Sequence, residues 1–173
     1  EAYDVSNNGK VVGRFYDPTL PSPGGNPTLR AAYWENGNWN RLVGIDSLPI
    51  LDEMSYTHAY GISADGTTIC GMQWHPDWTV EAVRWVNGNV SGLGQTYGRN
   101  SRANVVSADG SVIAGWNAGP GGSPDRTAFY WDPTPHFMGG LEPSYLVGEA
   151  GGISSDGSII VGSSVWPFIW TAS

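Results

Sequence analysis

Charge and lysine are scarce in this sequence of 173 residues. Charged residues make up 14% of the chain, against about 25% in an average soluble domain. The net charge is −8, Lys10 is the only lysine, and the arginines are scattered along the chain. Nucleic acids and anionic membranes are bound by clustered cations. We therefore expect no nucleic acid and no anionic membrane surface among the partners.

Cysteine and long apolar runs are also scarce. Cys70 is the only cysteine, which excludes a scaffold held by intramolecular disulfides, and its apolar neighbours predict that it is buried. No apolar run approaches the roughly 18 residues of a transmembrane helix, so we expect no membrane insertion. The chain begins at Glu1 rather than Met, as expected of a chain that has lost an upstream segment.

Glycine, proline and aromatic residues are abundant instead. The chain has 25 Gly, 12 Pro and nine Trp, and 12% of its residues are aromatic. This composition disfavours helix bundles and coiled coils, which are built from Ala, Glu, Lys and Leu, and it disfavours disorder, which goes with few aromatics. No stretch of ten residues has helical periodicity. The composition therefore predicts a folded all-β protein.

One motif occurs four times. The pattern A-x-x-[VI]-S-x-[DN]-G-x-x-[IV]-x-G begins at residues 2, 59, 103 and 150, and the first copy is one residue shorter. A second motif follows each copy and consists of a small residue, two further residues and a tryptophan. The four equivalent tryptophans are Trp34, Trp85, Trp131 and Trp170. We interpret residues 1–173 as a single repeat domain of four units.

Each unit is predicted to contain four short antiparallel strands, A to D. Asp-Gly or Asn-Gly dipeptides such as Asp65-Gly66 join strands A and B, and Asn36-Gly37 and Asn87-Gly88 join strands C and D. Four antiparallel strands repeated every 44 to 57 residues are typical of β-propeller blades. We therefore expect an all-β propeller of about four four-stranded blades, with the last blade incomplete.

Packing between neighbouring blades predicts which side chains are buried. The blade-core residues are expected to be Ile62, Ile69, Val106, Ile113, Ile153 and Ile160. The four repeat tryptophans are expected in equivalent positions, largely buried between blades.

The repeat resembles the HAF family of bacterial extracellular repeats, in which the same thirteen-residue pattern is followed by A-x-x-W. Residues 59–71, AYGISADGTTICG, and residues 82–85, AVRW, show the match, which covers nearly the whole chain. The resemblance implies a β-propeller and an extracellular or cell-surface location. It transfers no catalytic residue to this sequence.

The loops are expected to sort onto the two ends of the blades. Tight A–B and C–D turns lie at one end, and the longer B–C and D–A connections lie at the other, which we call the long-loop end. Candidate binding residues at that end are Phe15, Tyr16, Asp17, Asp46, Asp52, Glu53, His58, Trp74, His75, Asp77, Trp78, Arg99, Arg102, Asp125, Arg126 and Tyr145. The densest group, Trp74, His75, Asp77 and Trp78, is either a carbohydrate-binding platform or a loop anchored by its own tryptophans.

Acidic residues and histidines form no catalytic or metal-binding pattern. Asp65, Asp109 and Asp156 each lie in their own unit, so they are expected to stabilise turns rather than to share a calcium ion. The three histidines lack zinc-binding spacing, and no G-x-S-x-G motif is present. We expect no enzymatic activity, no metal and no cofactor; a loop calcium site formed by Asp46, Asp52 and Glu53 is the minor alternative.

The fourth unit stops after its strand C, which leaves the edge formed by Phe168, Ile169 and Trp170 without a strand D in this sequence. We expect this assembly edge to be covered by other chain, either the rest of a longer polypeptide or a neighbouring copy. The favoured function is a non-enzymatic secreted or cell-surface module that binds a protein partner or itself. A lectin-like propeller is the alternative, and a glycan-acting hydrolase rests on fold analogy alone.

Overall fold

The computed structural model describes residues 1–21, 27–45, 56–94, 100–118, 126–138, 148–164 and 166–172. These residues form fifteen strands and no helix, and hence no helix that could cross a membrane. The strands are β1 (Ala2–Val5), β2 (Val11–Pro21), β3 (Pro27–Glu35), β4 (Asn38–Arg41), β5 (Thr57–Ile62), β6 (Thr68–Trp74), β7 (Val80–Val86), β8 (Asn89–Gly92), β9 (Ser101–Val106), β10 (Ile113–Ala118), β11 (Arg126–Trp131), β12 (Pro135–Phe137), β13 (Glu149–Ile153), β14 (Ile159–Ser163) and β15 (Pro167–Thr171).

The strands form four antiparallel sheets, each with its strands in chain order. Strands β1–β4, β5–β8 and β9–β12 make three four-stranded sheets, and β13–β15 make a three-stranded one. We call these sheets blades 1 to 4. The predicted arrangement of four meandering blades with an incomplete last blade is confirmed.

The turn between the first two strands of each blade has the predicted geometry. Gly9, Gly66, Gly110 and Gly157 all have positive φ, between 74° and 83°, which an L side chain adopts only with strain. In blade 3, the Ser107 hydroxyl donates to Asp109 at 2.7 Å, and Asp109 accepts from the Ser111 amide at 3.0 Å. These bonds lower the pKa of Asp109 to about 2, with the Ser111 amide as the largest cause. The motif aspartates therefore stabilise their own turns, as expected.

These turns also connect the blades. The amide of the residue after the motif serine donates to the carbonyl of the equivalent residue in the next blade. The bonds run from Asn7 to Ala64, from Ala64 to Ala108 and from Ala108 to Ser155, each at 2.9 Å. We call this chain of bonds the turn ladder. It fixes the spacing of the blades at their tight-turn end.

Alanine at two of the turn glycines is expected to separate backbone strain from crowding. A Cβ at Gly9 would meet nothing within 4 Å, whereas a Cβ at Gly110 would lie 2.4 Å from the Thr68 hydroxyl of the neighbouring blade. Gly9→Ala should lower the free energy of unfolding by about 1–2 kcal/mol, the cost of a left-handed L residue. Gly110→Ala should cost more, as measured by urea unfolding. Equal losses would contradict the blade contact at Gly110.

Apolar clusters fill the spaces between consecutive blades. We call the side of a blade that faces the preceding blade its leading face, and the opposite side its trailing face. Between blades 1 and 2, Val12 and Leu42 of one trailing face pack on Ile62, Ile69 and Trp85 of the next leading face. Similar clusters lie between blades 2 and 3 and between blades 3 and 4. All six predicted blade-core residues lie in or against these clusters, with Val106 and Ile153 half-buried.

The repeat tryptophans occupy equivalent strand positions, but their predicted burial is wrong at the first blade. Each lies opposite the motif valine or isoleucine of its blade, as Trp34 lies opposite Val11. Trp85 and Trp131 are 0% and 1% exposed, whereas Trp34 is 37% exposed, because no described residue packs a blade on the leading face of blade 1. Trp170 is half-buried, since no strand D of the described chain pairs with β15.

Candidate functional site

The structure brings the four residues of the predicted carbohydrate platform into one short turn at the end of β6. The His75 amide donates to the Thr79 carbonyl at 2.8 Å, and the Trp78 amide donates to the His75 carbonyl at 3.0 Å. Asp77 accepts hydrogen bonds from the amide and hydroxyl of Thr79, at 3.0 and 2.7 Å, and these bonds lower its pKa. Asp77 thus holds the turn.

The two tryptophans of this turn form an aromatic corner in which Trp74 is half-buried and Trp78 is exposed. Trp74 and Trp78 are in edge-to-face contact, with ring centroids 6.3 Å apart and planes at 75°. Trp78 is 68% exposed and has a φ of 65°, which is unusual for a large aromatic residue. His75 lies beside them, with Nε2 3.1 Å from Glu81 Oε2. The turn therefore presents an indole ring to solvent next to a histidine and a carboxylate.

A row of arginines and aromatic residues crosses the long-loop end from blade 1 to blade 4. Arg14 of blade 1 lies 3.3 Å from the ring nitrogens of His58 in blade 2. Arg102 of blade 3 lies over the ring of Tyr60, 5.2 Å from its centroid. We call the set formed by Arg14, His58, Tyr60, Arg102, Trp116 and Arg126 the arginine–aromatic row.

The row continues to blade 4 through the Trp116 ring. Arg102 and Arg126 lie 5.8 and 4.8 Å from that ring. Both arginines pair with Glu149 of blade 4, at 2.8 and 3.3 Å. The row therefore joins adjacent blades at the long-loop end, as the turn ladder joins them at the other end. The sequence placed His58, Arg102 and Arg126 at this end, but it assigned no role there to Tyr60 or Trp116.

Burial controls the ionisation of His58. Its side chain is 7% exposed, and burial lowers its pKa to about 4, with a further contribution from the Arg14 charge. The Nδ1 atom is 2.9 Å from the Tyr60 hydroxyl, and burial raises the pKa of Tyr60. His58 is therefore neutral at physiological pH and lies between the Arg14 guanidinium of blade 1 and the Tyr60 hydroxyl of its own blade.

Stability is expected to fall as the pH drops from about 6.5 to about 4, and His58 is the cause. Because the folded-state pKa lies below the unfolded value of about 6.5, the unfolded chain binds the proton more readily in this interval. His58→Gln should remove that part of the pH dependence. The test compares urea unfolding of both proteins between pH 7 and 4.5. A wild-type-minus-variant difference that stays constant over this range would contradict the prediction.

Asp46, Asp52, Glu53, Arg99, Asp125 and Tyr145 lie outside the described residues. Within the described ranges, no group of three or more His, Cys, Asp or Glu residues could hold a metal ion. A shallow depression of about 590 Å³ lies over the turn ladder, lined by Asn7, Asn8, Ala64, Asp65, Ala108 and Asp109. It lies among residues of the tight turns, away from the long-loop end.

The predicted assembly edge is an open strand in the described chain. β15 pairs with β14 through Phe168, Ile169 and Trp170, which lie opposite Gly162, Val161 and Ile160. In blade 3 the equivalent residues of β11 also pair with β12 on their other side. No described strand takes that place beside β15.

Comparison with known proteins supports the fold. Neither a family model nor a curated protein matches this chain. Among solved structures, a putative TolB from Agrobacterium tumefaciens matches with a TM-score of 0.59 and 14% sequence identity. The match covers 92% of this chain and 52% of that one, so this chain spans about half the length of its structural neighbour.

This chain is a β-propeller module. The conclusion rests on its repeated antiparallel blades and on the similarity to the TolB-like propeller. At 14% identity the similarity concerns the fold alone. The HAF resemblance remains a prediction.

Proposed function

We propose that this propeller module is a non-enzymatic, protein-binding part of an exported or cell-surface protein. The partner adds a strand to the open edge of β15. The exported location follows from the HAF resemblance of the repeat, and the binding mode follows from the edge itself.

The observation that carries the proposal is the edge of β15 that no other described strand covers. In each of blades 1 to 3, the third strand is flanked on both sides, whereas β15 is flanked only by β14 in the described chain. An edge strand offers unpaired amides and carbonyls, and an added strand satisfies them with main-chain hydrogen bonds. Ile169, which is 76% exposed, supplies an apolar side chain for specificity.

A peptide from the chain's own second blade tests this proposal. Residues 87–93 contain β8, which flanks the third strand of blade 2, and they form the labelled probe. We expect it to bind and to slow amide hydrogen exchange in residues 168–171. The control is a fusion in which the same segment is joined by a short turn after Ser173, so that it covers the edge from within the chain. A peptide that fails to bind at about 1 mM, or that binds the fusion equally well, would count against strand addition.

Carbohydrate binding is a second candidate, favoured by the exposed Trp78 ring and its left-handed backbone. Flat indole faces flanked by polar groups suit a sugar ring, and strained surface residues often occur at binding sites. A glycan array is the first test. For any oligosaccharide that binds, Trp78→Ala should weaken binding at least about tenfold, while Phe137→Ala, at an exposed aromatic of β12, should not. If no glycan on the array binds, the carbohydrate-binding hypothesis is contradicted.

A further inference from the structure

We infer that two copies of this chain associate head to tail, with the leading face of blade 1 of one copy stacked on the trailing face of blade 4 of the other. This inference goes beyond the proposed strand addition and does not depend on it. It uses the face of blade 4, whereas strand addition uses the edge of β15.

The described chain carries both halves of its own inter-blade interface, and no described blade packs on either half. At the leading face of blade 1, Val5, Trp34 and Trp39 are 59%, 37% and 44% exposed. The equivalent leading-face positions Ile62 and Trp85 of blade 2 are 5% and 0% exposed. The leading face of blade 1 therefore presents to solvent the side chains that later blades bury.

The trailing face of blade 4 is the complementary half. Val161 is 42% exposed, whereas the equivalent trailing-face residues Val12, Cys70 and Ala114 are 0% exposed. Ile159 and Ile169 extend the same apolar surface, at 43% and 76% exposed. In the described chain, this face of blade 4 therefore exposes the position that blades 1 to 3 bury.

The turn ladder has matching free ends on the same two blades. Each rung runs from the amide of one blade to the carbonyl of the next, ending with Ala108 to Ser155. In the described chain, the bonds of the turn ladder leave two groups unused, the Ser155 amide at one end and the Asn7 carbonyl at the other. If a second copy took the position of the next blade, the Ser155 amide of the first copy would donate to the Asn7 carbonyl of the second copy. The polar and apolar parts of the interface thus require the same orientation.

This contact is heterologous, because it joins two different surfaces. Repetition of such a contact closes into a ring or continues as a filament, depending on the rotation between copies. We expect the mean mass of the 173-residue chain in sedimentation to rise with protein concentration between about 1 µM and about 1 mM, the range of dissociation constants of weak protein contacts.

Complementary variants provide the decisive experiment. Trp34→Glu disables the leading face and Val161→Glu disables the trailing face, and each should weaken association at least about 30-fold. Each variant alone should be monomeric in sedimentation, whereas an equimolar mixture should form dimers and nothing larger. Phe137→Glu, at an exposed aromatic of an internal blade, is the control and should associate like the wild type. If Trp34→Glu fails to fold, Trp39→Glu replaces it at the leading face. If Val161→Glu fails to fold, Ile159→Glu replaces it at the trailing face.

The possible results separate this inference from the proposed strand addition. Dimers in the mixture of the two variants support face stacking. The same mixture is repeated with both variants carrying the fusion that covers the β15 edge, and dimers there support face stacking whatever the peptide experiment shows. A wild-type chain that stays monomeric over the whole range, or a mixture that stays monomeric, overturns the inference. Further blades of a longer polypeptide would then be the remaining occupants of both faces.

Discussion

Trp85→Ala is expected to lower the free energy of unfolding by about 3–5 kcal/mol, the usual cost of removing a buried aromatic side chain. Trp85 is 0% exposed, packs between blades 1 and 2, and donates through its indole nitrogen to the Val43 carbonyl at 2.7 Å. Its removal leaves a cavity at an interface on which both blades depend. Urea unfolding followed by circular dichroism measures the loss.

The matched comparison is the same substitution at the equivalent position of blade 1. Trp34 is 37% exposed and has no blade packed on its face in the described chain, so Trp34→Ala should cost only about 1–2 kcal/mol. The difference between the two variants isolates the contribution of the inter-blade contact. Equal losses would mean that strand position, rather than contact with the neighbouring blade, determines the stability gained from the repeat tryptophan.

Gly71→Ala is expected to be at least as damaging, with a loss of about 3 kcal/mol or more, or failure to fold. A Cβ on Gly71 would lie 1.9 Å from the carbonyl oxygen of His58 on the paired strand. The strand register shifts between Ala59 and Gly61, which marks a bulge, and the bulge brings the two backbones together. The contact involves backbone atoms, so no side chain can rotate to relieve it.

A second glycine supplies the control for this substitution. Gly151 lies in β13, and a Cβ there would meet nothing within 4 Å. Gly151→Ala should therefore change stability by no more than about 0.5 kcal/mol. The yield of soluble protein and the urea midpoint of both variants test the pair. A Gly71→Ala protein as stable as Gly151→Ala would contradict the close approach at the bulge.

The sequence shows that the last position of the repeated motif is always glycine, but it does not show why glycine is needed there. A Cβ added at any of four glycines would lie about 2 Å from a backbone carbonyl oxygen in or directly before the first strand of the same blade. These glycines are Gly13, Gly71, Gly115 and Gly162. The repeat showed that each unit has a glycine at this point. It could not show that a bulge in the first strand causes the contact, because bulges depend on pairing between strands.

The loop residues show a similar limit. The sequence placed His58, Arg102 and Arg126 at the long-loop end because the order of strands determines which connections share an end. It did not show that these side chains alternate with Tyr60 and Trp116 across blade boundaries, since that order depends on how neighbouring blades align. The Trp74 to Trp78 turn was visible as a dense cluster, but the left-handed backbone of Trp78 was not.

The sequence by itself determined the repeat, the four-stranded unit, the turn glycines and the incomplete fourth blade, because these follow from local spacing and turn chemistry within one unit. Only the tertiary structure decided which copies of the repeated residues are buried. Trp34 and Trp85 have the same place in the motif, yet one is partly exposed and the other is fully buried. Burial requires a neighbouring blade, and a sequence repeat describes the blade but not what packs against its outer faces.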